Sequence, residues 1–118
     1  MRSFSLAYLT SHRSTPPEAI RVAAATGYAF VGMRLWPNAP GAPQQQLLGK
    51  PDVLRETLAA QKDTGVGVFD LEIIRIDAGF DPHTWDALYD AGAALKAKAI
   101  LVAGDDTDEA RLTANYAR

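Results

Sequence analysis

The sequence predicts an α/β protein made of successive βα units, and three observations carry that prediction. Apolar runs and helical stripes alternate four times along 118 residues. The runs begin at residues 4, 29, 66 and 99, so they are separated by 25, 37 and 33 residues. That spacing leaves room for a crossover helix between parallel strands. The runs are also apolar on both alternating faces, as strands of a parallel sheet are.

Phe4–Leu9 is the first strand. Thr15-Pro16-Pro17-Glu18 then opens a helix: Thr15 can cap, Pro fits the first helical turn, and Glu18 lies three residues after the cap. Ile20, Ala23 and Ala24 give a narrow apolar stripe, and Gly27 suits the left-handed residue that closes a helix. Ala29–Leu35 is the second strand, apolar until Arg34. Trp36–Lys50 carries Pro37, Pro40, Gly41 and Pro43, and no regular element survives that many breakers. A loop of this length in a small domain is functional or mobile. Pro51 opens the second helix, with Leu54 and Leu58 on its inner side and Gly65 at its end. Val66–Ile76 is the third strand. Asp81 caps the third helix, whose stripe is Trp85, Leu88, Tyr89, Gly92 and Leu95. Ala99–Ala103 is the fourth strand. Asp106 and Glu109 have capping-box spacing, which starts a fourth helix near Thr107.

Composition narrows the function. The chain is 47% hydrophobic and 22% charged, with a net charge of −2 and no block of like charge. It lacks the basic footprint of a nucleic-acid binder. The absence of Cys removes thiolate chemistry, Fe–S clusters and Cys-based zinc sites, and two histidines cannot make a His-rich metal site. There is no apolar stretch of membrane-spanning length and no signal-peptide core at the start, so the expectation is a cytoplasmic protein. Gly65-Val66-Gly67 precedes a strand and lacks the third Gly of a dinucleotide fingerprint. Neither a P-loop nor a Gly-x-Ser-x-Gly elbow is present, which weighs against a dehydrogenase, a kinase and a serine hydrolase.

The expected domain is 1–118. A four-stranded parallel sheet leaves two edges open. A complete (β/α)8 barrel needs about 250 residues, roughly twice this chain, and the last helical pattern stops at Arg118 without a closing Gly, Asn or Pro. The expectation is the first four βα units of a TIM barrel, either a truncated barrel or a half-barrel that completes itself by association.

Four segments together resemble the sugar phosphate isomerase/epimerase family of xylose-isomerase-like TIM barrels. They are Phe4–Leu9 with the helix at Pro17–Ile20 and the Gly27-Tyr28 pair; Val31-Gly32-Met33-Arg34-Leu35; Gly65–Glu72, a strand ending in an acid; and Ala99–Gly104 with Thr113–Tyr116. The resemblance covers the whole chain and the first half of such a barrel. It implies isomerisation or epimerisation of a sugar or related hydroxyketone, possibly phosphorylated. It also implies a divalent metal (Mn, Mg, Zn or Co) that polarises the substrate while carboxylates move a proton. In that family the metal ligands lie mainly on later strands. No residue here inherits a ligand role, no metal is expected on this chain alone, and the chain by itself is expected to be inactive.

Charged residues inside strands are the outliers: Arg34, Asp70, Glu72 and Arg75. Arg34 and Glu72 sit towards the carboxyl ends of neighbouring strands, where barrel active sites are built. A bidentate pair between them is expected, with Glu72 catalytic and Arg34 binding substrate; the alternative is a buried pair that only satisfies itself. His12, in the loop after the first strand, could donate to a sugar hydroxyl or be an ordinary loop residue. Trp36 could stack on a sugar face or pack against the sheet. Arg75 could hold a phosphate or carboxylate or be a surface residue. His83, in the first turn of an outer helix, is not a candidate. Asp105, Asp106 and Asp108 lack EF-hand spacing and read as helix caps. The expected partners are a small sugar-like molecule and the remaining half of a barrel or a second copy, with neither nucleic acid nor membrane. A second functional class stays open: a non-catalytic half-barrel, or a flavodoxin-like sheet, acting as a binding module.

Overall fold

Thr15 begins the first helix as its neighbours dictate. Its Oγ1 accepts from the Glu18 backbone N–H at 3.4 Å, and the Glu18 carboxylate accepts from the Thr15 N–H at 3.2 Å. Such a cap is worth about 1 kcal/mol. The helix, α1 (Pro16–Thr26), ends at Gly27, whose φ of 86° only a residue without Cβ adopts cheaply. The structure is a computed structural model describing residues 2–118. Its strands are β1 (Ser5–Leu6), β2 (Phe30–Arg34), β3 (Gly67–Ile76) and β4 (Ala99–Gly104). The other helices are α2 (Pro51–Thr64), α3 (Asp86–Leu95) and α4 (Glu109–Tyr116).

All strand pairs are parallel, in the order β1-β2-β3-β4. That order removes the flavodoxin-like alternative, in which the first strand lies inside the sheet. Successive right-handed crossovers that always step the same way put the helices on one face. One core cluster confirms this sidedness. It joins Ile20 and Ala23 of α1, Ala60 of α2, and Leu88, Ala91 and Leu95 of α3 to Val31, Met33, Val68, Leu71 and Ile74 of the sheet. The other sheet face has no helix on it among the described residues, and Phe69 and Leu101 there are 42% and 47% exposed. The shape follows: the molecule measures 45 × 34 × 24 Å with a radius of gyration of 14.9 Å, against about 13.5 Å for a compact globule of this length. Among the described residues no helix is long and apolar enough to cross a membrane.

Several boundaries differ from expectation. The first strand is only two residues long, because the chain turns into a 3-10 helix at Tyr8–Thr10, stabilised by the Ser11 N–H donating to Tyr8 O at 2.9 Å. Ala24 and Leu58 face out; α1 buries Pro16, Ala19, Ile20 and Ala23, and α2 buries Thr57 and Ala60. Thr57 is tolerated there because its hydroxyl donates to Val53 O at 2.7 Å. Asp81 caps a 3-10 turn, Pro82–Trp85, that leads into α3. Tyr89 is half-exposed, while the rest of its stripe is buried.

The cap of α4 is Asp108, which accepts from the Arg111 N–H at 3.0 Å, and not Asp106. Asp106 instead receives the Arg111 guanidinium at 2.6 and 2.8 Å and the Asp108 N–H at 2.9 Å. The Arg111 fork first, and then the Asp108 N–H, lower its pKa from 3.8 to about 2. A depressed carboxylate pKa stabilises the fold above its unfolded value, and that stability is lost as pH falls through the folded value. The α4 amides are therefore expected to lose exchange protection between about pH 4 and pH 2, measured by NMR, and Asp106→Asn should abolish that acid step.

Candidate functional site

The register of the sheet lines up side chains across its uncovered face. Arg34 of β2 pairs with Glu72 of β3, which pairs with Leu101 of β4. One row earlier, Gly32 pairs with Asp70, and Asp70 with Ala99. Parallel partners share a face, so Arg34, Asp70 and Glu72 point away from the helices.

Arg34 closes on one oxygen of Glu72. Its Nε donates to Oε2 at 2.8 Å and its Nη2 lies 2.8 Å from the same oxygen, with the two side chains only 14% and 13% exposed. No other donor among the described residues reaches the carboxylate. Beneath the guanidinium lies the Tyr8 ring, 4.6 Å from Arg34 Cζ and buried. A desolvated cation over an aromatic face holds its position well. The backbone is fixed too: Gln45 N–H donates to Arg34 O at 2.8 Å, and the Leu35 and Trp36 N–H groups donate to Glu72 O at 3.1 and 3.2 Å.

Asp70 has no ion-pair partner among the described residues. Burial first, and then the neighbouring Glu72 charge, push its pKa up; its own backbone N–H pulls the other way. It lies against the backbone of β2 because position 32 is Gly. A Cβ there would sit 2.5 Å from Asp70 Oδ1. Gly32→Ala is expected to swing the carboxylate towards water and lower its midpoint, followed through its side-chain carbon resonance.

The other candidates lie apart from this pair. Arg75 is committed to structure: Nε donates to Asn38 O at 2.7 Å, Nη2 to Asn38 Oδ1, and Nη1 to Asp105 Oδ2 at 2.6 Å. It ties the long loop to the carboxyl ends of β3 and β4. That loop, expected to be functional or mobile, is further pinned by Gln45, whose Nε2 donates to Ser14 O at 3.0 Å. Trp36 packs on Trp85, with ring centroids 5.9 Å apart, and borders a 210 Å³ cavity with Ile73 and Arg75. His12 is exposed, its Nδ1 3.1 Å from Leu9 O, and borders a 570 Å³ cleft with Gln44, Gln45 and Lys50. His83 is exposed beside Asp86.

Sequence reasoning marked Asp70 as an outlier without giving it a place in the site. It missed Tyr8, Gln45 and Trp85. Asp70 and Gly32 carried a signal, a charge and a missing side chain within apolar strands. Tyr8 carried none, since its role depends on β1 ending early.

Comparison of the sequence with protein-family models and with curated proteins finds no match. The site is therefore read from its own geometry. Among the described residues no three His, Asp or Glu side chains come together as a possible metal group. A divalent cation can be held by one or two carboxylates with water or substrate completing its shell, but the Arg34 guanidinium already engages Glu72 Oε2. The resemblance implies ligands mainly on later strands, so no residue here is assigned to a metal, and no chemical step is derived through it.

Proposed function

We propose that the chain forms the first four βα units of a (β/α)8 barrel that isomerises or epimerises a sugar or related hydroxyketone. The barrel would be completed by further βα units or by a second copy, in the cytoplasm. The observation that carries the reading is the uncovered sheet face, where Asp70 and the Arg34–Glu72 pair stand side by side. Sequential parallel strands with helices on one side are the geometry of a barrel wall, and the carboxyl ends of such strands hold the chemistry.

The two carboxylates have separate tasks. Asp70, with its pKa raised and no cation attached, takes the proton from the carbon next to the substrate carbonyl. The C–H electron pair becomes the C=C bond of an enediolate, whose one oxygen-bound proton is shared between the two oxygens. Glu72, held by Arg34 through Oε2, accepts from the substrate hydroxyl through Oε1 and shuttles that proton between the two oxygens. Return of the carbon-derived proton by Asp70 to the neighbouring carbon isomerises; epimerisation takes a proton from an acid on the opposite face, which the remainder of the barrel would supply.

The test is deuterium incorporation next to the carbonyl of hydroxyketones in D2O, catalysed by the assembled barrel with divalent ions supplied. Incorporation that is lost in Asp70→Asn supports the reading. An assembled barrel that exchanges no hydroxyketone sinks it.

A further inference from the structure

We infer that the recess where α2 and α3 end, bordered by Lys62, Lys96 and Lys98, binds an organic anion with a linear apolar tail. The inference does not rest on the carbohydrate reading. The recess lies at the amino-terminal ends of β2, β3 and β4, whereas Arg34 closes the carboxyl end of β2.

The chain has four lysines, and folding gathers three of them at this one place. Lys62 lies near the end of α2, Lys96 just after α3 and Lys98 just before β4. All three are exposed. Among the described residues none of them has a carboxylate within ion-pair distance, and no Asp or Glu borders the recess. Asp63, the acid next to Lys62 in sequence, is taken by Arg21 at 3.5 Å. Cations gathered without a counter-ion raise the local concentration of anions, even on a chain whose net charge is −2.

Beside the charges the walls are apolar. Leu58 is 39% exposed there, and Phe30 is half-buried. The Phe30 ring is held in place. Phe69 meets it edge-on with centroids 5.6 Å apart, and Gly67 leaves it room, since a Cβ there would sit 3.1 Å from the ring. Lys98 Nζ stands 5.5 Å from the centre of that ring, so one cation and one apolar wall share the same spot. Gln61 ties the two helices together by donating from Nε2 to Leu95 O at 3.2 Å. A ligand that uses both features carries a negative head and an apolar body. Bare phosphate or acetate would leave Leu58 and Phe30 in water. A bilayer takes up a face of apolar side chains, and of the large ones bordering the recess only Leu58 is exposed. A single chain lying along Leu58 and Phe30, with its head among the lysines, fits better.

The lysines themselves report on binding. With ¹³Cε-labelled lysine the full chain gives four side-chain signals. Lys50 is the reference, a lone lysine on an apolar groove that also holds Asp90. Decanoate is titrated in below its micelle concentration, beside acetate, inorganic phosphate and decyltrimethylammonium. The expected result is a saturable shift of Lys62, Lys96 and Lys98 with decanoate, weakened by added salt, while Lys50 stays nearly still. Combining Lys62→Gln, Lys96→Asn and Lys98→Gln should weaken decanoate binding about tenfold by calorimetry, the equivalent of about 1.4 kcal/mol and in the range of three exposed ion pairs. Asn suits position 96, whose φ of 56° is left-handed.

Three lysine signals that stay still at millimolar decanoate overturn the proposal, and so does a Lys50 signal that moves with the same midpoint. Acetate or phosphate binding as tightly as decanoate overturns the role of the tail. An equal response to decyltrimethylammonium overturns the role of the charge. Vesicles of phosphatidylglycerol that sediment the chain and shift the three lysines, where free decanoate does not, overturn it in favour of a membrane contact. If the triple variant fails to fold, the wild-type signals decide. Decanoate binding without deuterium exchange in the assembled barrel would remove the isomerase reading and leave this site; exchange with silent lysines would do the reverse.

Discussion

Arg34→Ala is expected to lower the stability of the chain by about 3–5 kcal/mol, the usual cost of stripping one partner from a buried ion pair. The pair is nearly closed to water, and Glu72 would keep its charge with no cation above it. The size of the loss comes from that stranded charge more than from the strength of the pair. Arg34→Ala combined with Glu72→Gln should therefore recover part of it, and a double-mutant cycle by chemical denaturation measures how much. Single and double variants of equal stability would show that the pair is wet in solution. Arg34→Lys is expected to be intermediate, because an ammonium keeps the charge but loses the fork and the flat contact with Tyr8.

In the barrel proposed above, Asp70→Asn is expected to reduce hydroxyketone turnover by roughly 10²- to 10⁴-fold, the range for removing a positioned acid or base. Stability should change little, since Asp70 has no cation partner and pays to stay charged where it is. Glu72→Gln should also impair turnover, with a stability loss that melting curves must separate from it. His83→Ala, on the exposed start of the outer helix, should leave both unchanged. If Asp70→Asn and Glu72→Gln both fold and keep wild-type kcat/KM, the row across the sheet is structural only.

The alternation of strands and helices and the boundaries of α1 and the end of α2 were legible in the sequence because each rests on local pattern or capping. Thr15 with Glu18, and Gly27 and Gly65 at left-handed positions, act within a few residues and need no tertiary context. The Arg34–Glu72 pair was legible for a different reason: a charge in an apolar strand demands a partner, and strand spacing limited the choice. What escaped were features decided by distant groups. β1 stops at Leu6, which sends the Tyr8 ring under Arg34. Asp106 loses the cap position to Asp108 because Arg111 claims it. The Trp85 stripe read correctly as core, but helical periodicity could not show that its indole N–H would lack an acceptor. Arg75 read as a phosphate holder or a surface residue, and the fold spends it on Asn38 instead.

The clamped loop has a consequence for how the chain meets proteases. Trp36–Lys50 has no helix or strand and three prolines, the profile of a segment that is usually nicked first. Yet Asn38 is held by Arg75, and Gln45 is tied to both Arg34 O and Ser14 O, so the loop cannot easily open into the extended form that a protease cleft requires. Its only basic residue, Lys50, precedes Pro51, a bond trypsin does not cut. Arg34 itself lies inside a strand. The stretch between Arg34 and Arg55 thus offers trypsin nothing, and digestion of the folded chain must begin elsewhere.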